Sequence, residues 1–359
     1  MYMPTLFDPI RLGSIECRNR ILMAPLTRGR ASHSHIPNDL MVEYYRQRAS
    51  AGLIISEATG ISQQGLGVPF APGIWNPEQI AGWKKVTHAV HAEGGKIVLQ
   101  LWHMGRVVHS SFLNGKKPVS ASATTSPGHA HTYFGNQEYD TSRALTVEEI
   151  ADIVRQYGAA ARNAMEAGFD GVQVHAANGY LIDQFLREYS NFRRDQYGGT
   201  IENRIRFLSE VVSEVVSVVG SEQTGVRISP NGEILGVNDT DPVPLFTAAA
   251  KRLDEIGIAY LEVRESPNGA GMLGSDQPPV YPAIRKAFSG TFIMNNEFSY
   301  ARATQALAEG EADAVSFGRN FISNPDLPHV FLKGKTPVES DISTWYSAGE
   351  KGYTDYPAI

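Results

Sequence analysis

Short apolar runs recur along the chain, each followed by a polar turn and then by helical periodicity. The runs span residues 20–25, 53–58, 96–102, 171–175, 225–229, 260–263, 291–294 and 312–317. Most are continuous rather than alternating, the pattern of strands buried on both faces of a parallel sheet. Between them, residues 148–167 repeat apolar positions near i, i+3 and i+4, with Thr146 and Glu149 spaced as a capping box and Gly168 at the far end. Residues 201–219, 246–256, 281–287 and 301–308 read as further helices, the last capped by Ser299. Eight strands alternating with helices predict an α/β fold, a (β/α)8 TIM barrel. A doubly wound open sheet is the alternative.

Two segments break the repeat. Residues 5–18 read as a β-hairpin ahead of the first barrel strand, suited to closing the barrel floor. Residues 103–143 form a long loop after strand three, rich in Gly, Ser, Pro and His. Insertions of that length are usually functional or mobile, and this one lies on the face where barrels keep their chemistry. With no linker, repeat or low-complexity tract between elements, residues 1–359 read as a single domain.

Composition removes several classes. Against 32 Lys and Arg stand 38 Asp and Glu, a formal charge of −6, with 42% hydrophobic and 19% charged residues, ordinary for a globular protein in water. No apolar run approaches the roughly 18 residues of a membrane span. Asp8 and Arg11 interrupt the N-terminal stretch, which does not read as a secretory signal. The mild acidity gives nucleic acid no electrostatic footprint. The lone cysteine, Cys17, excludes a disulfide framework and a multi-cysteine zinc or iron–sulfur site, and reads as a packing residue. No pair of histidines has metal-ligand spacing, so no metal is expected. The expectation is a cytoplasmic enzyme of small molecules, with neither nucleic acid nor membrane as partner.

The candidate chemistry lies at strand ends. Gly269, Gly271 and Gly274 match a dinucleotide fingerprint, but Pro278 and Pro279 follow where a helix would have to start, so that match is rejected. The strongest local signal is His175-Ala-Ala-Asn178-Gly-Tyr180-Leu181, directly after strand four. Two donors three residues apart at a barrel mouth can meet one oxygen and stabilise charge developing on it, and Tyr180 could supply a proton nearby. Taken alone, His175 and Tyr180 could equally be packing residues. Thr27 after strand one, Gln100 and Trp102 on strand three and Arg227 on strand five add a hydroxyl, an amide, an indole and a guanidinium. That set suits a flat, polar-edged heterocycle. Gly318 and Arg319 after strand eight, faced by the loop at 295–298, suit a phosphate.

These motifs resemble the old yellow enzyme family of flavoproteins over essentially the whole chain. The signatures are Leu-Phe-Asp-Pro at 6–9, Ala-Pro-Leu-Thr-Arg at 24–28, Gln-Leu-Trp-His-x-Gly-Arg at 100–106 and His-x-x-Asn-Gly-Tyr-Leu at 175–181. Asp-x-Tyr-Gly-Gly at 195–199, Phe-Gly-Arg at 317–319, Asn-Pro-Asp-Leu at 324–327 and Tyr-Thr-Asp-Tyr-Pro at 353–357 complete them. The resemblance implies tightly but non-covalently bound FMN, NAD(P)H as hydride donor, and reduction of enones or nitroalkenes with ping-pong kinetics. It implies that Pro25, Leu26, Thr27 and Ala58 lie along the flavin, with Gln100 at its pyrimidine edge and Arg227 near N1 and O2. Asn296, Gly318 and Arg319 would hold its phosphate. His175 and Asn178 would bind the substrate oxygen, Tyr180 would protonate the α-carbon, and Trp102, Val68 and Tyr346 would shape the pocket. Relatives of this kind occur as monomers and homodimers.

Two positions depart from the family's pattern. Val68 follows Gly-Leu-Gly where many relatives carry tyrosine, and Asn296-Glu297 stands where Gly-Gly is frequent. Glu297 is expected to point away from the phosphate. Iron–sulfur relatives of flavin barrels, and a non-redox barrel lyase or sugar-binding barrel, are the competing readings; the single cysteine and the chain length argue against the former.

Overall fold

A computed structural model describes residues 4–265 and 277–359; the rejected glycine motif at 269–274 lies outside the described residues. The eight barrel strands are β1 Ile21–Met23, β2 Ile54–Ile55, β3 Ile97–Trp102, β4 Gly171–Ala176, β5 Thr224–Ile228, β6 Tyr260–Arg264, β7 Thr291–Asn295 and β8 Ala314–Phe317. Each pairs in parallel with its neighbour in sequence. β8 returns to β1, with Val315 opposite Ile21, and this pairing closes the barrel and rules out the open sheet.

Helices cross back outside the strands. They include α1 Asp39–Gln47, α2 Pro77–Ala92, α3 Val147–Glu166, α4 Arg206–Val219, α5 Pro242–Ile256, α6 Tyr281–Ala287 and α7 Tyr300–Ala308. The Thr146–Glu149 capping box forms as expected. The stretch read as one helix over 201–219 is two, Ile201–Arg204 and α4, broken at Ile205. α5 starts earlier than its apolar period suggests, because Asp241 caps it and Pro242 supplies a preformed first turn. β2 is shorter than its apolar run. Ser56 Oγ accepts from the Gln100 N–H and the Glu57 N–H donates to Tyr45 OH on α1, and the chain rejoins β3 only at Thr59–Gly60.

Side chains of alternate strand residues point inward and stack in layers. The lowest layer is apolar: Leu22, Ile55, Val98, Tyr260, Ile293 and Ala314 pack in one cluster. The Tyr260 ring fills the space where a Cβ on Gly225 would stand. The predicted hairpin, Ile10–Leu12 against Ile15–Cys17, lays Leu12, Ile15 and Cys17 onto this layer and seals the floor. Gly13 at its turn has φ +60, and a Cβ there would strike the Glu222 carbonyl. Burial pushes the Cys17 thiol up to about 12, consistent with a packing role. At the opposite end the long loop folds back, bringing Met104, Val107, Val108 and Phe112 against Trp102 and Ala58.

The floor should carry real stability. Leu12→Ala is expected to cost about 2–5 kcal/mol, as for a buried leucine, whereas Thr146→Ala should cost about 1 kcal/mol through loss of its cap. Urea unfolding of both variants checks the order; a Leu12 variant less damaging than the cap variant would show that the hairpin does not seal the core.

Candidate active site

Above the apolar floor lies a polar layer to which six consecutive strands, β3 to β8, each give one side chain. Gln100 Nε2 donates to Gln173 Oε1 at 2.8 Å, and Gln173 Nε2 donates to Glu262 Oε2 at 2.8 Å. Glu262 Oε1 lies 2.7 Å from Arg227 Nη1 and accepts from Ser316 Oγ. Arg227 Nη2 donates to Asn295 Oδ1 at 2.8 Å, and Asn295 Nδ2 donates to the Ser316 carbonyl. All six residues are buried. Burying two charges is tolerable because they are paired and neighbouring groups bind both Glu262 oxygens and Arg227 Nη2. Gln100 and Arg227 were anticipated; Gln173 and Glu262 were not. The signal was present, since a carboxylate inside an apolar strand run must find a cation.

The next layer is the mouth. The rings of Trp102, His175 and Tyr180 meet there: Trp102 and His175 stack at 6.5 Å, and Tyr180 stands edge-on to Trp102 at 5.0 Å and to His175 at 5.1 Å. The His175 Nδ1 accepts the Ala177 backbone N–H at 3.3 Å, so in the neutral ring the proton sits on Nε2. Burial, reinforced by Arg227 and Arg264, pushes this imidazole well below its ordinary value and keeps it neutral. Asn178 adopts a left-handed backbone, φ +58, and its N–H donates to Ser229 Oγ at 2.7 Å. Its Oδ1 accepts from Arg264 Nη1 at 3.5 Å, a contact from β6 that the sequence reading did not foresee. Burial and the phenols of Tyr139 and Tyr346 push the Tyr180 hydroxyl up, so it holds its proton at neutral pH. Val68 and Ala58 line the same cluster.

The anticipated phosphate end gathers the loops after β7 and β8. Asn296 and Glu297 both take positive φ, 115 and 51, the conformation that Gly-Gly would adopt without strain. Leu26 packs against Gly318, within 3.4 Å of the position of a Cβ. One expectation fails: Glu297 does not point away but pairs with the Arg319 guanidinium. The left-handed turn aims the carboxylate at the nearest exposed cation, and the pair forms.

Pro25, Leu26 and Thr27 are half-buried in the irregular segment after β1. Just beyond, Arg28 and Arg30 bind the C-terminal segment. Arg28 donates to the Trp345 and Gly352 carbonyls at 3.0 and 2.7 Å, and Arg30 to the Trp345 and Thr344 carbonyls at 2.7 and 2.9 Å. Tyr353 stacks on Tyr44 at 4.0 Å between these cations and Arg48. The segment thereby carries Tyr346, 72% exposed, to the edge of the mouth near Tyr180. Beneath it, buried Glu57 accepts from Arg28 N–H and Tyr45 OH, and burial raises its carboxyl to about 7.

Among buried side-chain atoms without a hydrogen-bond partner are Arg227 Nε, Trp102 Nε1 and Asn296 Nδ2. All three are donors, and a ligand that satisfied them would be rich in acceptors. The sequence matches the NADH:flavin oxidoreductase / NADH oxidase family over residues 5–336. The chain belongs to that family.

Members of this family are FMN-dependent oxidoreductases, and this chain is such an enzyme. The fold agrees closely with that of the old yellow enzyme homologue from Zymomonas mobilis, at TM-score 0.98 and 53% identity over 99% of this chain and 100% of that one. Morphinone reductase in complex with tetrahydroNAD aligns at TM-score 0.93 and 46% identity, over 99% and 98% of the two chains. A probable flavin mononucleotide-dependent alkene reductase of Leishmania infantum is 42% identical over 98% of this chain and 97% of its own length. The donor set fits FMN: the unpartnered guanidinium edge suits the pyrimidine acceptors, and the free Asn296 amide with Arg319 suits a phosphate. No helix among the described residues is long and apolar enough to cross a membrane, and no group of metal-ligating side chains occurs among them.

Glu57 makes stability depend on pH. Its folded carboxyl is raised from 4.5 to about 7, so the folded state holds a proton that the unfolded chain has released. Stability should therefore fall as pH rises from about 4.5 to about 7. Glu57→Gln should flatten this stretch of the curve in urea titrations at several pH values; an unchanged slope would assign the dependence elsewhere.

Proposed function

We propose that the chain is an ene-reductase: it takes hydride from NAD(P)H and reduces the C=C bond of enones or nitroalkenes, with residues 1–359 acting as one domain. FMN, when bound, supplies the hydride relay between the two substrates. Pro25, Leu26, Thr27 and Ala58 flank its ring, Gln100 and Arg227 bind its pyrimidine edge, and Asn296, Gly318 and Arg319 hold its phosphate. Arg319 must then be shared with Glu297, which tempers its charge. The assignments rest on motif and on where these side chains lie.

The observation that carries the reading is the neutral His175 beside Tyr180. With Nδ1 occupied by a backbone N–H, His175 offers Nε2–H to the mouth. With Oδ1 engaged by Arg264, Asn178 offers its NH2. Two neutral donors bind a carbonyl or nitro oxygen and strengthen their hold as enolate-like charge grows there. Each such donor is typically worth about 3–4 kcal/mol in the transition state. Tyr180 keeps its proton at neutral pH and delivers it to the α-carbon while the β-carbon receives hydride. Trp102, Val68 and Tyr346 bound the space above. Val68 supplies no hydroxyl, so polar recognition falls to His175, Asn178 and Tyr180. Because donor and acceptor use one mouth in turn, kinetics should be ping-pong.

The purified protein should be yellow, bleach with NADPH or NADH, and regain colour with cyclohexenone; a colourless protein that takes up no FMN overturns the reading. Tyr180→Phe should retain FMN and its reduction by NAD(P)H yet lose most alkene turnover. Unchanged turnover would mean another proton source. His175→Ala should weaken binding of phenols and enones by about tenfold or more, the range for one lost hydrogen bond to a charged group, read as the loss of the phenol-induced change in flavin absorbance.

A further inference from the structure

One buried carboxylate in the polar layer has no part in the reaction above. Glu262 on β6 is fully buried and bound on both oxygens: Oε1 by Arg227 and Ser316, Oε2 by Gln173. Gln173 in turn accepts from Gln100. Glu262 thus stands between Arg227 and Gln100, the two side chains assigned to the pyrimidine edge. Arg227 is ion-paired at Nη1 to Glu262 and donates from Nη2 to Asn295, while neither Nε nor Nη1 makes a hydrogen bond to the protein. These two contacts fix how the guanidinium plane is turned, and its Nε keeps a donor for a ligand.

We propose that Glu262 is a positioning residue for the flavin. It fixes which edge of Arg227 meets the ring and offsets part of the guanidinium's charge, and so sets how strongly the site favours reduced over oxidised FMN. The inference rests on the placement of Arg227 at the flavin. The redox step involved is ordinary: NAD(P)H gives up a hydride, two electrons and one proton, and leaves as NAD(P)+, and the ring gains one negative charge. A nearby cation favours that anion, and a carboxylate paired to the cation opposes it. Within the barrel, away from water, the balance is only weakly screened.

The test is the two-electron potential of the FMN-loaded enzyme, read by reductive titration against a reference dye, with no turnover involved. Glu262→Gln keeps the shape and removes the charge. It should raise the potential, increasing the ratio of reduced to oxidised flavin about tenfold at fixed driving force, which is about 30 mV for a two-electron couple. Asn295→Asp adds a second carboxylate against Arg227 and should move the potential the opposite way. If the Glu262→Gln variant fails to fold, Glu262→Asp, which draws the carboxylate back from Arg227, should raise the potential in the same direction, and a potential equal to the parent's overturns the proposal. Potentials that both coincide with the parent overturn the proposal. Arg227→Leu separates the two levels. If it lowers the potential and weakens FMN binding while the other variants do nothing, Glu262 is only structural. If it too changes neither, the placement of Arg227 at the flavin is what fails.

Discussion

A guanidinium and a carboxylate held 2.7 Å apart inside the barrel, Arg227 on β5 and Glu262 on β6, form the constraint around which the upper half of this molecule is arranged. Neither charge can reach water, and leaving either one unpaired would cost several kcal/mol. Their remaining hydrogen-bonding capacity must also be met, which requires an amide from β4, an amide from β7 and a hydroxyl from β8. Gln100 on β3 ends the chain of contacts. The barrel must close with its strands in this register for those groups to meet. The pair is thus a test of register as well as a source of charge, and it converts eight short strands into one specified surface.

Stacking order then gives each end of the barrel its task. β6 shows the logic in three residues: Tyr260 faces the apolar floor, Glu262 the polar layer and Arg264 the mouth. β3 repeats it with Val98, Gln100 and Trp102. An apolar floor capped by a hairpin supplies stability with no polar groups to satisfy. The charged layer above it tolerates burial because its two charges are paired, with Arg227 Nε left as a donor. The mouth keeps donors without hydrogen-bond partners, Trp102 Nε1 among them, open to a ligand. Stability and chemistry are separated along one axis, about 6–7 Å per pair of residues in strand geometry.

Much of this was legible in the sequence, for reasons that differ by residue. The eight strands are buried on both faces, so their apolar runs stand out, and the capping box at Thr146 marks a helix start without ambiguity. His175 lies near the end of β4 and Asn178 and Tyr180 follow that strand directly, which places them at the mouth by topology alone. Glu262 and Gln173 escaped notice because a continuous apolar run conceals which positions face inward. In an alternating strand they would have been conspicuous. The break at Ile205 and the shortened β2 are tertiary effects, the latter set by Tyr45 and by β3, that no local pattern encodes. The Gly-Gly position is the instructive case. Residue identity departs from the family's habit while the backbone keeps the left-handed turn, so Asn296 and Glu297 carry strain that glycine would avoid.

That strain and the Glu297–Arg319 pair belong together. If Arg319 holds a phosphate as proposed, a carboxylate beside it is unfavourable to that phosphate, yet the same carboxylate stabilises the arginine when no phosphate is present. The pair in the polar layer, Glu262 with Arg227, works on the same principle but under different conditions: the Glu297 pair is exposed and screened, the Glu262 pair buried and rigid. An exposed pair can rearrange around an arriving anion at small cost. A buried pair cannot, and its charge balance is imposed on whatever occupies the mouth. On the proposed placement of the flavin, the two acidic residues would therefore differ in consequence: Glu297 would bear on how tightly the phosphate end is held, and Glu262 on the electronic character of the ring end.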